Sequence, residues 1–376
     1  MVEIREVKTK KEQREFLNFP LKMYKDNPYF VPPLYGDEKK MFSADFVYND
    51  TCDSIHLNAY DEKGKMIGRI TGIIQKASNE KNHEKRARFT HFDCIDDEEA
   101  AHALFSYVEK WAREKGMDTV CGPLGYSDLE REGLLVEGFD QLSTFEEQYN
   151  AEYYGALVES FGFVKEVDWT ESKLNLPDTG VEEIRKMADF VMKRYNLHFG
   201  TAKNINDFLN KYSDDFFSLL DVAYDKLYGT VPFTDGMKKS IIKSFKLIVD
   251  LDHVAVILDE NEKVICIGIC FPSIAKAVQK SQGHLTPAAL IRLLRAIKHP
   301  DIIDLGLIAV DPSYLNRGVS TVVSAELMRM LASPSIKYAE TNLNLENNFA
   351  IQNQWKRFKR VNHKRRRAYV KRIAEE

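Results

Sequence analysis

The sequence has few of the features that would place the protein outside the ordinary soluble class. No run of about 18 apolar residues occurs, which excludes a membrane-spanning helix. The first residues, Met1 to Phe16, contain no apolar segment of the kind that a secretory signal requires. The net charge is only −4, so no strong overall field indicates a nucleic acid or a membrane as partner. We therefore expect a cytoplasmic protein.

Cysteine is scarce as well. The five cysteines, Cys52, Cys94, Cys121, Cys266 and Cys270, are odd in number and scattered along the chain. The last two lie four residues apart in an apolar stretch, and no pair of histidines or further cysteines follows at the spacing of a zinc site. The pattern predicts reduced core residues and no metal.

The length of the chain predicts two domains. A chain of 376 residues with 44% hydrophobic and 29% charged residues is too long for one ordinary core. A strand, a charged turn and a second strand occur at Ile55–Ile74 and again at Val254–Phe271, roughly 200 residues later, which indicates an internal repeat. The stretch Asn175–Gly180 is the best linker, so we predict domains at 1–175 and 176–376.

The most informative stretch is Asp304–Thr321. An apolar run typical of a buried strand ends at Val310, and Asp311 and Pro312 break it. A short polar loop leads to Gly318, after which apolar residues recur with helical spacing. The first turn of a helix has free backbone N–H groups and a positive dipole end, so this arrangement favours an anion such as a pyrophosphate.

These residues resemble motif A of the GNAT family of acyl-CoA-dependent acyltransferases. In that motif a strand ends in V-x-P and a loop of the form Q/R-x-x-G-x-G/A leads into a helix. Here Val310, Asp311 and Pro312 match the strand end, and the loop positions are Leu315, Asn316, Arg317, Gly318, Val319 and Ser320. Two positions depart: Leu315 stands where Gln or Arg is usual, and Ser320 where Gly or Ala is usual.

The resemblance implies an α/β (α+β) fold of two tandem GNAT-like units, each a mixed, mostly antiparallel sheet flanked by helices. It extends to bacterial tandem GNAT-like proteins, which share the Gly122-Pro123 and Glu132–Asp140 pattern. The implied donor is acetyl-CoA or another acyl-CoA. It would be bound by Ile308, Ala309, Val310, Leu315, Asn316, Arg317, Gly318, Val319, Ser320, Thr321 and Asn347.

The first unit departs from the motif at the matching junction. Acidic residues, Asp96 to Glu99, replace the glycine loop there. They are good residues for capping a helix, but they would repel a pyrophosphate. We therefore expect the second unit to bind the donor.

Carboxylates are the candidates for the catalytic base. Glu340 comes first, because it lies on a stretch, Lys337–Glu346, that alternates like a half-buried strand, where a carboxylate can have a raised pKa. Glu346 and Glu132 follow. The tyrosine with which many members of the family reprotonate the thiolate would fall near Gln354 or Trp355, so it is missing.

Several segments keep more than one interpretation. The proline-rich stretch Asn27–Phe42 is a packed arm or a cleft wall, and the glycine-rich stretch Val120–Asp140 is a functional or a solvated loop. The basic run from Lys356 to Arg372 is a solvated helix and final strand (Arg367–Ile373), an anion-binding rim, or, ranked lowest, a nucleic-acid patch. The amphipathic segment Pro287–Ile297 is interpreted as core packing.

The function that the resemblance implies is an acyl-CoA-dependent N-acyltransferase that acts on an amine of a small molecule or peptide. The departures at Leu315 and Ser320, with the missing tyrosine, keep a second hypothesis open. This is a non-catalytic ligand-binding protein on a GNAT-like scaffold.

Overall fold

The computed structural model describes residues 1–373. The chain divides into two compact units. Unit 1 comprises residues 1–170, 275–290 and the chain from Lys364 on, and unit 2 comprises residues 171–274 and 291–363. Each unit is thus built from separate stretches, whereas the sequence suggested a single cut after residue 175.

The elements alternate between strands and helices throughout. Up to residue 175 they are β1 (Glu3–Glu6), α1 (Lys10–Met23), α2 (Tyr35–Glu38), β2 (Cys52–Tyr60), β3 (Met66–Gln75), α3 (Lys76–Asn82), β4 (Arg86–Cys94), α4 (Glu98–Glu114), β5 (Thr119–Gly122), β6 (Leu134–Glu137), α5 (Tyr154–Ser160) and β7 (Val164–Asn175). They continue with α6 (Val181–Arg194), β8 (His198–Phe199), α7 (Ile205–Tyr224), α8 (Asp235–Ile248), β9 (Val254–Leu258), β10 (Val264–Pro272), α9 (Ala275–Ser281), α10 (Pro287–Lys298), β11 (Ile302–Val310), α11 (Val319–Leu331), β12 (Tyr338–Glu340), β13 (Asn344–Leu345), α12 (Phe349–Trp355) and β14 (Lys359–Arg372).

The sheet of unit 1 has the order β1-β2-β3-β4-β5-β14. All neighbours are antiparallel except β4 and β5, which are parallel. Helix α4 covers this sheet with Leu104, Phe105 and Val108, all fully buried. As the sequence predicted, α4 begins after Asp97, whose side chain accepts a hydrogen bond from the Ala100 N–H and so caps the helix.

The sheet of unit 2 has the order β8-β9-β10-β11-β12-β7, and again only one neighbouring pair, β11 and β12, is parallel. Successive residues of β9 belong to different clusters, since side chains alternate across a strand. Val256 packs with Leu220 of α7, while Ile257 packs with Val191 of α6 and Val319 of α11. The sheet is therefore covered by helices on both faces.

The predicted strand over Lys337–Glu346 is wrong as one continuous element. Two short strands, β12 and β13, take its place. The break lies at Asn342, whose side-chain oxygen accepts a hydrogen bond (2.8 Å) from the Leu343 N–H. Such a local bond competes with a ladder bond and ends a strand. Glu340, the last residue of β12, is buried.

The basic run near the C-terminus is one long strand, β14, and not a solvated helix followed by a short strand. Its side chains alternate between buried and partly exposed, as on a strand covered from one side. Lys364 and Arg366 lie on the buried side. Arg366 is fully buried and its Nε lies 3.6 Å from Glu147 Oε2, so this part of the run is not a solvated surface.

Two general features limit the classes of site. None of the helices within residues 1–373 is both long and apolar enough to cross a bilayer. Over the same residues, no group of three or more Cys, His, Asp or Glu side chains is arranged to hold a metal ion.

Candidate functional site

The predicted donor site is built around β11, which has one open side. Along its other side β11 pairs with β10 over most of its length, from Ile303 to Val310. Its pairing with the parallel strand β12 covers only Ile302 to Asp304. The two strands part beyond Asp304, so the following residues of β11 present backbone groups to a gap instead of a neighbouring strand.

Gly306 forms a bulge in β11 just beyond the place where β11 and β12 part. Gly306 has no partner in the β10 ladder, because the register shifts between Ile269 and Cys270. A Cβ atom at Gly306 would lie 2.4 Å from Cε2 of Phe271 and 3.0 Å from the Ile269 carbonyl oxygen. Only glycine fits this bulge, and a bulge in a strand redirects the residues that follow it.

The gap beside β11 contains a tyrosine that sequence reasoning did not identify. The hydroxyl of Tyr224, the last residue of α7, donates a hydrogen bond to the Ile308 carbonyl (2.8 Å). The same oxygen accepts a bond from the Ile308 N–H (3.3 Å). One side chain therefore satisfies both backbone groups of Ile308, which the sequence had predicted to bind the donor. No sequence signal distinguishes Tyr224 from the other tyrosines of the helical region.

The start of α11 supplies the second part of the predicted site. Gly318 is the N-cap residue with φ +81°, and no side chain caps the helix. A Cβ atom at Gly318 would lie 3.0 Å from Cγ2 of Val191, because α6 packs closely here. Of the first-turn N–H groups, that of Thr321 donates to the Gly318 carbonyl (2.9 Å), whereas no side chain caps those of Val319 and Ser320, and uncapped N–H groups at a helix start favour an anion. The first turn of α4, which Asp97 caps, contains acidic side chains instead.

The remaining loop residues lie between β11 and α11. A short 3₁₀ turn over Pro312–Tyr314 follows β11, and Leu315 after it is 60% exposed. The guanidinium of Arg317 lies over the rings of Tyr314 and Tyr195, at 4.6 and 5.5 Å from their centroids. Hydrogen bonds from Lys263 (2.7 Å) and Ser313 lower the pKa of Asp311 to about 2. The one carboxylate of this loop is therefore ionised and neutralised by Lys263.

The predicted site residues fall into groups. Ile308, Ala309 and Val310 end β11, the residues from Leu315 to Arg317 form the turn, and Gly318 to Thr321 begin α11, so the structure joins them in one continuous segment. Asn347 lies two positions before α12, whose N-cap is Asn348.

The three candidate bases have different surroundings. Glu340 is 4% exposed and stands opposite Asp304, the last pair before β11 and β12 part, with its Oε1 3.1 Å from Nε2 of His363. Glu346 follows β13 and is exposed. Glu132 belongs to unit 1, where it is buried and its pKa is raised well above the ordinary value by that burial. Of the three, Glu340 is the one that lies on the strand paired with β11, opposite Asp304.

Unit 1 contains a polar cluster that the sequence did not reveal. Nε2 of His91 lies 3.3 Å from Oε2 of Glu38, and the Thr71 hydroxyl lies 3.3 Å from Nδ1 of His91 and 3.0 Å from Nδ1 of His56. Although burial opposes ionisation, His91 lowers the pKa of Glu38 to about 2. His91 adopts φ +49° within β4, where the register to β3 shifts, and such outliers concentrate at functional sites.

The parallel strand pair of unit 1 also parts early, but its gap is closed differently. β4 pairs with β5 only from Arg86 to Arg88. Further along β4, the Cys94 N–H donates to the Tyr154 hydroxyl (2.9 Å) and the Tyr153 hydroxyl donates to the Cys94 carbonyl (2.8 Å). Tyr154 is fully buried within the core of unit 1. In unit 1, Tyr153 and Tyr154 together bond both backbone groups of Cys94. In unit 2, Tyr224 alone bonds both backbone groups of Ile308.

The long glycine-rich loop of unit 1 carries buried carboxyl groups. Glu130 Oε2 accepts a hydrogen bond from the Tyr126 N–H (2.9 Å), and burial raises the pKa of Glu130 to about 7. The Oε1 atom of Glu132 has no hydrogen-bond partner within residues 1–373. Arg131 between them donates to the carbonyl oxygens of Val31 and Phe145. The loop is packed against unit 1 and is not a solvated loop.

Comparison with known proteins places these features in context. No family model matches the sequence. Protein YghO of Escherichia coli (strain K12) is 26% identical over 98% of this chain and 95% of its own length. Bacterial ceramide synthase of Caulobacter vibrioides is 24% identical over 78% of this chain and 75% of its own length. A solved tandem GNAT protein from the clavulanic acid biosynthesis pathway superposes over 100% of both chains with a TM-score of 0.55 at 10% identity.

Proposed function

Since the chain has the tandem GNAT fold that its sequence predicted, we propose that it is an acyl-CoA-dependent N-acyltransferase whose unit 2 binds the donor. The observation that carries the proposal is the uncapped start of α11 directly after a strand with an open edge. The residues fit an acyl-CoA in two respects. A pyrophosphate is favoured at free helix N–H groups, and an amide-bearing arm is favoured at free strand edges.

In this proposal Glu340 is the catalytic base and His363 positions it. The amine nitrogen of the acceptor attacks the thioester carbonyl carbon, a C–N bond forms and the C–S bond breaks. Glu340 takes the proton that the attacking amine loses, and the thiolate of coenzyme A leaves and is protonated from solvent. We prefer Glu340 over Glu346 and Glu132 because Glu340 lies beside the point where β11 and β12 part.

The name of one relative suggests an acceptor class. Ceramides are amides, so a ceramide synthase joins an acyl group to an amine, the bond that an N-acyltransferase forms. The relative of that name shares 24% identity over 78% of this chain. We therefore include a long-chain acyl donor and a long-chain amino alcohol among the substrates to be tested, beside acetyl-CoA and a small polar amine.

The test separates binding from turnover. Calorimetry with coenzyme A, acetyl-CoA and a long-chain acyl-CoA should give binding heat that is lost in Gly318→Trp, since the added ring fills the start of α11. Release of free thiol should then require an acceptor amine. The absence of both heat and thermal stabilisation at millimolar donor would refute the proposal.

A second function, a non-catalytic ligand-binding protein, is favoured by one observation. The hydroxyl of Tyr224 already occupies both hydrogen-bonding groups of Ile308, and Leu315 offers no polar group beside them. Under this hypothesis a ligand binds without any acceptor-dependent thiol release. Turnover by the intact chain that disappears in Gly318→Trp would exclude it.

A further inference from the structure

Helix α10 uses only one side for core packing. Ala289, Leu293 and Ile297, spaced by four residues, are buried. Leu290, Ile291 and Leu294 on the other side are 40%, 69% and 46% exposed. The sequence interpretation of this segment as core packing is therefore right for one side only, and the other side presents a row of aliphatic side chains to water.

The chain segment that contains this row carries charge of one sign. No Asp or Glu occurs between Lys263 and Pro300, a stretch with six Lys or Arg residues in a chain whose net charge is −4. Arg295 and Lys298 follow Ile291 by four and seven residues, so they lie on the same side of the helix. Both are exposed, and neither pairs with an acidic side chain in the part of the chain that the structure describes.

We propose that this α10 face (Leu290, Ile291, Leu294, Arg295 and Lys298) binds the surface of an anionic lipid bilayer. Aliphatic side chains enter the boundary between head groups and acyl chains, while the neighbouring basic side chains meet lipid phosphates. The charge complementarity selects this occupant. A second copy of the chain would bring two basic faces together, which like-charge repulsion disfavours.

This inference goes beyond acyl transfer and does not depend on it. It concerns a contact with the membrane surface, not a span, and it departs from the expectation that a small net charge gives no membrane partner. The net charge is a sum over the whole chain. A membrane surface interacts mainly with the protein charges that lie within about 10 Å of it, which are those of one face.

Co-sedimentation of the full chain with vesicles tests the proposal. We expect binding to vesicles of phosphatidylcholine mixed with phosphatidylglycerol, weakened by salt, and no binding to phosphatidylcholine alone. Each basic side chain near an anionic surface contributes roughly fivefold. Replacing two of them by acids in Arg295→Glu/Lys298→Glu should lower binding by roughly 25-fold or more. Ile291→Glu/Leu294→Glu should also abolish it.

Matched controls keep the result specific. Lys10→Glu/Lys11→Glu changes the net charge equally at exposed positions of α1, and Val222→Glu places an acid at an exposed aliphatic position (59%) of α7. Both should bind vesicles as the parent does, and circular dichroism melting should show all variants folded. The proposal would be overturned if the chain bound both vesicle types equally. It would also be overturned if the control variants lost as much vesicle binding as the α10 variants. A dimer that dissociates in Ile291→Glu/Leu294→Glu would overturn it too, since a second copy would then cover the face.

Discussion

Replacing Tyr224 by phenylalanine removes a single hydroxyl from the gap beside β11. That hydroxyl donates to the Ile308 carbonyl at 2.8 Å and accepts from the Ile308 N–H at 3.3 Å. An acyl-CoA arm that binds the open edge needs the same donor and acceptor pair. If the chain binds an acyl-CoA as proposed, the hydroxyl and the donor compete, and the substitution Tyr224→Phe should favour the donor.

The size of the effect follows from the two hydrogen bonds. A neutral hydrogen bond contributes about 0.5–1.5 kcal/mol net, so two stabilise the closed arrangement by roughly 1–3 kcal/mol. Their loss would tighten coenzyme A binding by roughly 5- to 150-fold. Because Ile308 and Tyr224 are only partly buried, water can replace the hydroxyl, so we expect a gain near the lower end.

Isothermal titration of the parent and the variant with coenzyme A measures this gain. Tyr212→Phe is the matched control, since the Tyr212 hydroxyl on the same helix α7 bonds the Thr201 carbonyl (3.2 Å) and not β11. Both variants should lose stability in urea, but only Tyr224→Phe should bind more tightly. Unchanged affinity in Tyr224→Phe would refute the competition, and weaker binding would show that the hydroxyl contacts the donor.

Three further changes have defined outcomes. Gly318→Ala and Gly64→Ala both place a side chain at positive φ and should each cost about 1–3 kcal/mol of unfolding free energy. Calorimetry should show weaker coenzyme A binding only for Gly318→Ala, whose Cβ meets α6, whereas nothing lies within 4 Å at Gly64. Glu340→Gln should lower the rate of acyl transfer by about 100-fold or more while coenzyme A still binds. The control Glu346→Gln should leave that rate nearly unchanged. Equal rates in the two variants would show that Glu340 is not the base. Burial raises the pKa of Glu130 to about 7, so the native state keeps a proton that the unfolded state releases near pH 4.5. The free energy of unfolding in urea should then fall by on the order of 2 kcal/mol as the pH rises from 5 to 7, and it should fall less in Glu130→Gln. If the unfolding free energy of the parent and of the variant depended equally on pH, the effect would belong to other groups.

The sequence was informative wherever local chemistry decides the structure. Asp97 caps α4 as predicted, because a carboxylate accepts a hydrogen bond from a free N–H of the first turn. Gly318 ends the loop and begins α11 in the left-handed conformation that a glycine adopts most readily. The two hairpins, β2–β3 and β9–β10, follow from apolar runs joined by charged turns.

The sequence failed where distant partners decide. One error was local: alternation from Lys337 to Glu346 predicted one strand, but the side chain of Asn342 bonds the adjacent Leu343 N–H and breaks the strand. A run of Lys and Arg suggested a solvated surface, although Arg366 is fully buried beside Glu147, more than 200 residues away. Tyr224 reaches Ile308 across 84 positions. No local pattern contains such pairings, because folding and not spacing brings the partners together.

The position of β14 has a consequence for how the chain is made. Tyr369 of β14 stands opposite Gly122 of β5, from which it is 247 positions away along the chain. At a synthesis rate of about 5–20 residues per second, the ribosome delivers the partner of β5 roughly 12–50 seconds after β5 itself. Throughout that interval the edge of β5 is unpaired, and such an edge is prone to wrong pairing. Newly made chains should therefore depend on chaperones until β14 has been synthesised.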